Sequence, residues 1–135
     1  MTIDAMIEIL KRSYTYPEGA DITTFVTKMI ESDKVIFQRE GFAFYVKCSD
    51  EMIDKIHANP GFILNTENLI EVFRSQGDNV HFFGIVSTNH SIQPILDGLK
   101  ALIAKEDPKT VSWWNKDMSR FIQRRFLCHK QRFRI

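Results

Sequence analysis

NVHFFGIVSTNHSIQPILDGLKALIAKEDPKTVSWWNKDMSRFIQRRF, residues 79–126, decides how the rest of the chain is read. It opens on NVHFFGIVS, apolar, aromatic and β-branched over the length of a largely buried strand. In the following TNHSIQPILDGLKALIAKEDP, Ile92, Ile95, Leu96, Leu99, Leu102 and Ile103 recur at the spacing that gathers side chains on one face of a helix. KTVSWW then reads as a second short strand, and NKDMSRFIQRRF, residues 115–126, as a second helix. A strand, a covering helix and another strand make a crossover whose two strands are expected to lie parallel in one sheet.

Upstream, Ile3, Met6, Ile7 and Leu10 predict an amphipathic helix over residues 2–14, with Asp4 and then Lys11 and Arg12 at the ends the helix dipole favours. Tyr16, Pro17, Glu18 and Gly19 break it, and a second helix is expected from Asp21 as N-cap through Phe25, Val26, Met29 and Ile30. KVIFQREGFAFYVKC alternates on both sides of Arg39, Glu40 and Gly41, the signature of a hairpin. Ser49 caps a short helix, and Thr66 caps another with Leu69, Ile70 and Phe73 inward. CHKQRFRI, residues 128–135, is a candidate last strand. The order predicts an α/β (α+β) fold: a single mixed sheet of about five strands, with helices on both faces.

With 44% hydrophobic residues in 135, the chain can bury one sizeable core, and residues 1–135 are expected to form a single domain. No apolar run approaches the roughly 18 residues of a membrane span, and the N-terminus lacks a signal peptide's basic start. A cytoplasmic location is expected, with no membrane partner. Cys48 and Cys128 have no metal-ligand spacing, and His57, His81, His90 and His129 form no His-x-x-x-His pair, so no metal site is expected. Charge is uneven. Residues 1–108 hold ten basic against sixteen acidic side chains, whereas residues 109–135 hold eight against one. A cationic C-terminal surface implies an anionic partner: a small ligand, nucleic acid or an acidic protein.

Asn115, Phe121, Ile122 and Phe126 resemble the element of the GNAT (N-acetyltransferase-like) superfamily in which an asparagine opens a helix that an aromatic residue closes. The element order from residue 21 onward is similar to that superfamily, and the Arg120-Phe121-Ile122 core looks most like acetyltransferase-like proteins of tailed phages. The resemblance implies an acyl-CoA N-acyltransferase-like fold, acetyl-CoA or another acyl-CoA as ligand, an amine acceptor, and a virion-associated location if the origin is a phage.

It also implies roles for particular residues. Ser87, Thr88, Asn89, His90 and Ser91 form the corner where such proteins hold pyrophosphate on backbone amides, though the family's glycines are absent and Ser91 reads equally as an ordinary N-cap. Asn115 would bind the cofactor or its arm. The family's tyrosine acid aligns near Phe121 or Ile122, neither of which donates a proton, which leaves His81 as candidate base and Ser119 as substitute acid. His81 reads equally as a solvent-facing or satisfied sheet residue. The alternative is a non-catalytic binding or structural module of the same fold, using its basic C-terminal surface for nucleic acid or assembly.

Trp113 and Trp114, adjacent on a strand, should point to opposite faces. On a terminal helix Lys116, Arg120 and Arg124 would share one face, either as a solvated stripe or as a site for the CoA 3′-phosphate, nucleic acid or an acidic chain.

Overall fold

Two strands that bury nearly all their residues form the centre of the sheet: β2 (Gly41–Cys48) and β3 (Asn79–Ser87). The structure, a computed structural model, describes residues 1–38, 41–87 and 93–125. In it β1 (Val35–Gln38), β2, β3, β4 (Thr110–Trp114) and β5 (Phe121–Arg125) stand side by side in chain order in one mixed sheet. β3 and β4 are parallel and the other neighbours antiparallel. The parallel pair is joined by α5 (Gln93–Glu106), so the expected crossover is present.

Helices cover both faces. α1 (Ile3–Ser13), α2 (Ile22–Glu31), α3 (Asp50–Ala58) and α4 (Thr66–Ser75) enclose the larger core with Phe42, Phe44 and Val46 of β2. α5 closes a smaller core on the opposite face, where Ile95 and Leu99 meet Ala43, Val80, Phe82 and Val111. Among the described residues no helix is long and apolar enough to cross a membrane.

The helix starts follow from side-chain caps. Thr2, Asp21 and Ser49 each accept a backbone N–H from three residues on, at 3.1, 3.0 and 3.2 Å. For α4 the cap is Asn65, which accepts from the Asn68 amide at 3.2 Å; Thr66, expected as the cap, is the first helical residue.

β3 changes phase midway. Phe42 pairs with Val86 and Phe44 with Phe83, so Ala43 alone stands opposite both Gly84 and Ile85, a bulge. The extra residue turns Ile85 to the α5 side and Val86 to the larger core. Gly84 has φ +69, and a Cβ there would lie 2.9 Å from Leu10 Cδ2 and 3.1 Å from Phe44 Cδ2, so only glycine fits.

Residues 115–126 do not form the expected helix. β4 instead turns through Asn115 and returns as β5, with Trp114 opposite Phe121 and Trp113 opposite Ile122. The Asn115 side-chain oxygen accepts from the amides of Ser119 and Arg120, both at 3.0 Å, and the Asn115 amide donates to the Arg120 carbonyl at 3.0 Å. An asparagine that can bond its own following backbone competes with helix here, and Met118 at φ 60 ends any helical continuation. Lys116, Arg120 and Arg124 therefore do not share a helix face. Phe126 and residues 128–135 lie outside the described residues, as do Arg39 and Glu40 of the first hairpin turn.

Candidate functional site

The two parallel strands stay paired only from Asn79 opposite Thr110 to Phe82 opposite Trp113. Past that point β3 runs on to Ser87 while β4 ends at Trp114, so the sheet forks. Tyr14, just after α1, closes the α1 side of the fork. The Ile85 amide donates to its hydroxyl at 3.0 Å, and the hydroxyl lies 3.4 Å from the Ile85 carbonyl. Its ring stacks on Phe83 at 5.6 Å, and burial pushes the phenol pKa up to about 12. The neighbouring Thr15 amide donates to the Lys116 carbonyl at 2.9 Å, which ties this loop to the last hairpin.

On the α5 side the fork opens into a cavity of about 520 Å³, within the range of small-molecule sites. Its wall is apolar, built from Phe82, Leu96, Leu99, Ile103, Val111 and Trp113. Lys100 of α5, Lys116 of the turn and Arg124 of β5 also line it, all three largely in solvent, whereas no acidic side chain among the described residues does. Among those residues the three cations form no ion pair; the salt bridges are Lys47–Glu106, Lys55–Glu51 and Lys109–Asp50. An apolar chamber with uncompensated positive charge at its rim suits a molecule with an apolar body and an anionic head.

Of the catalytic and cofactor-binding residues that the resemblance implies, Asn115 is the one among the described residues that reaches this cavity, with its oxygen engaged in the turn. Ser87 ends β3 opposite Gly41. Thr88, Asn89, His90 and Ser91 lie outside the described residues. Ser119 is exposed at the turn, bonded to Asn115 and Asp117, and is not part of the wall.

His81 is fully buried, on the face opposite the cavity, with Nδ1 2.9 Å from the Ser112 hydroxyl. Burial lowers its pKa to about 3, so it is neutral at ordinary pH, and its side chain has no exposed surface. It is therefore not a solvent-facing residue, and as a sheet residue it is satisfied only at Nδ1, by Ser112, while Nε2 is buried without a hydrogen-bond partner among the described residues. Among the described residues there is also no group of three or more His, Cys, Asp or Glu able to hold a metal.

Sequence reasoning missed Tyr14 and Lys100. Tyr14 finds its partner 71 residues away, and Lys100 looks like any outer-face helix lysine until the fork places it at a rim. The paired tryptophans gave the available signal: both line the cavity, from opposite faces of β4. Comparison with protein-family models, with curated proteins and with solved structures finds no match for this chain.

Proposed function

We propose that the chain is an acyl-CoA-binding module of the acyltransferase-like kind, which holds the acyl arm in the fork cavity and leaves the acyl group untransferred. One observation carries this: an apolar cavity at the fork of the parallel strands, with Lys100, Lys116 and Arg124 at its rim and no acid among the described residues paired with them. The acyl chain matches the apolar wall, and the phosphates of the CoA match the cations. Transfer to an amine needs a base close to the reacting carbonyl, and no histidine or carboxylate among the described residues lines the cavity. This favours binding of the acyl-CoA without transfer over the enzyme.

Both tryptophans of the chain line the cavity, so intrinsic fluorescence reports on it directly. Titration with decanoyl-CoA should change that emission saturably, and at 100 times its Kd the ligand should add about 2.7 kcal/mol of stability. CoA without the chain should bind at least about tenfold more weakly, since burying even a few methylenes is worth about 0.8 kcal/mol each. An unchanged emission and melting temperature with decanoyl-CoA overturns the proposal, and transfer of the acyl group to an added amine restores the enzyme reading.

A second reading has one observation in its favour: Arg120, Arg124 and Arg125 are all exposed on the last hairpin. Nucleic acid bound there would show a steep loss of affinity with salt.

A further inference from the structure

We infer that the fork cavity is closed at its root and selects acyl chains of medium length, with Val111 on its floor setting the limit. The inference rests on the acyl-ligand reading above and adds the class of chain the cavity takes.

Burial gives the cavity its depth. On the α5 side the wall holds two kinds of residue: Phe82, Leu99 and Val111 are 2%, 8% and 3% exposed, whereas Leu96, Ile103 and Trp113 are only partly buried. The three buried residues form the floor. Two of them stand where the sheet is still continuous, because Val111 pairs with Val80, and Phe82 with Trp113 in the last pair before the strands part. A chain whose charged head stays with the rim cations therefore ends against them.

The width of the fork is fixed as well. The Ile85 amide donates to the Tyr14 hydroxyl on one bank, and the Thr15 amide donates to the Lys116 carbonyl on the other, so two successive residues tie the banks together. Val111 is held by strands on both sides, opposite Val80 and Arg124, and its Cβ cannot retreat. A change in the size of its side chain is then a change in depth.

Strand geometry supplies the scale. From Val111 to Trp114, the end of β4, the backbone rises about 10 Å, and from Val111 to Lys116 at the rim it spans at most about 17 Å. A fully extended residue covers about 3.6 Å in three bonds, so an extended hydrocarbon advances about 1.2 Å per bond and the depth accepts about eight to fourteen carbons. Each methylene that is buried on the way down strengthens binding about fourfold, and one that has passed the floor adds nothing.

The test is titration calorimetry with a series of straight-chain thioesters from hexanoyl-CoA to hexadecanoyl-CoA, each below its micelle concentration. In wild type, affinity should climb with length and stop climbing between octanoyl-CoA and tetradecanoyl-CoA. Val111→Ala, which removes two methyl carbons from the floor, should move that break to a chain about two carbons longer. Val111→Leu should move it to a shorter chain, and decides alone if Val111→Ala does not fold. Val80→Ala is the control: it loosens the same small core beside Val111 without lining the cavity, and should leave the break in place. Affinity that climbs through hexadecanoyl-CoA, a break unmoved in the folded Val111 variants, or a break moved as far by Val80→Ala as by Val111→Ala overturns the inference and leaves the acyl-ligand reading standing. If no member of the series binds wild type, the acyl-ligand reading falls and this inference falls with it.

Discussion

His81 shows what a single buried residue costs and contributes. Asn79 and His81 on β3 face Thr110 and Ser112 on β4, and all four are buried. Thr110 donates to Asn79 at 2.6 Å, and Asn79 donates to the Cys48 carbonyl at 3.2 Å and to Asp50 at 2.8 Å. His81 shares a hydrogen with Ser112, and the Phe121 ring lies stacked on both His57 and His81, at 4.3 and 5.9 Å. This polar row aligns β3 on β4 at the root of the fork, because a one-residue slip would leave its buried groups without partners. Its pH consequence has a definite sign. Burial depresses the His81 pKa to about 3, so between the unfolded value of 6.5 and 3 the unfolded chain takes up a proton that the folded chain refuses. The stabilisation is complete above pH 6.5 and drains away as pH falls, by up to about 1.4 kcal/mol per unit. Denaturant melts of wild type and His81→Gln should therefore converge on acidification, the wild type losing about 3 kcal/mol more than the variant between pH 6.5 and 4. Parallel curves would mean that His81 titrates as it does in the unfolded chain.

At the scale of elements, the crossover and the last hairpin differ in how far their sequences declare them. NVHFFGIVS is a long apolar and β-branched run, the i, i+3, i+4 pattern through Ile95, Leu99 and Ile103 spans more than two turns, and the short TVSWW follows as the strand that such a crossover requires; all three elements are present. Residues 115–125 carry two conflicting signals. Asn115 can cap a helix or hold a turn with the same oxygen, and FIQRR is too short for its period to decide between strand and helix. The edge of β4 decides: its free backbone groups gain partners only if Phe121–Arg125 is extended. The bulge at Gly84 was likewise hidden, since one glycine in an apolar run does not say which residue is skipped on the partner strand. If Asn115 holds the turn, Asn115→Ala should cost about 1 kcal/mol by depriving the Arg120 amide of its acceptor and leaving the Ser119 amide with Asp117 alone, whereas Lys116→Ala next to it should stay within about 0.5 kcal/mol. The shift in urea midpoint at constant m-value measures both, and equal small losses would assign the turn to the backbone alone.

Across the whole molecule, the sheet separates two layers of unequal depth, and the cavity lies in the shallower one. Phe25, Phe42, Phe44 and Phe83 interlock in the larger core at centroid distances of 4.9 to 5.6 Å. α5 rests on a smaller group of side chains, with Leu96, Leu102 and Ile103 only partly buried and the cavity beneath them. Opening free energies follow local burial, so α5 and β4 should exchange amide hydrogens sooner than α2 and β2. Charge points the same way: two of the three rim cations, Lys116 and Arg124, come from the basic end of the chain, which sequence asymmetry had marked for an anionic partner. An acyl ligand seated in the fork would bridge α5, β4 and the last hairpin and add its burial to the weaker layer alone. Decanoyl-CoA at saturation should then slow exchange in α5 and β4 by about a factor of ten or more, while amides of α2 and β2, already opening only with global unfolding, slow in step with the overall gain in stability. Protection confined to the exposed arginine strand, with α5 unchanged, would instead place the ligand on the surface of β5 and remove the cavity from the function.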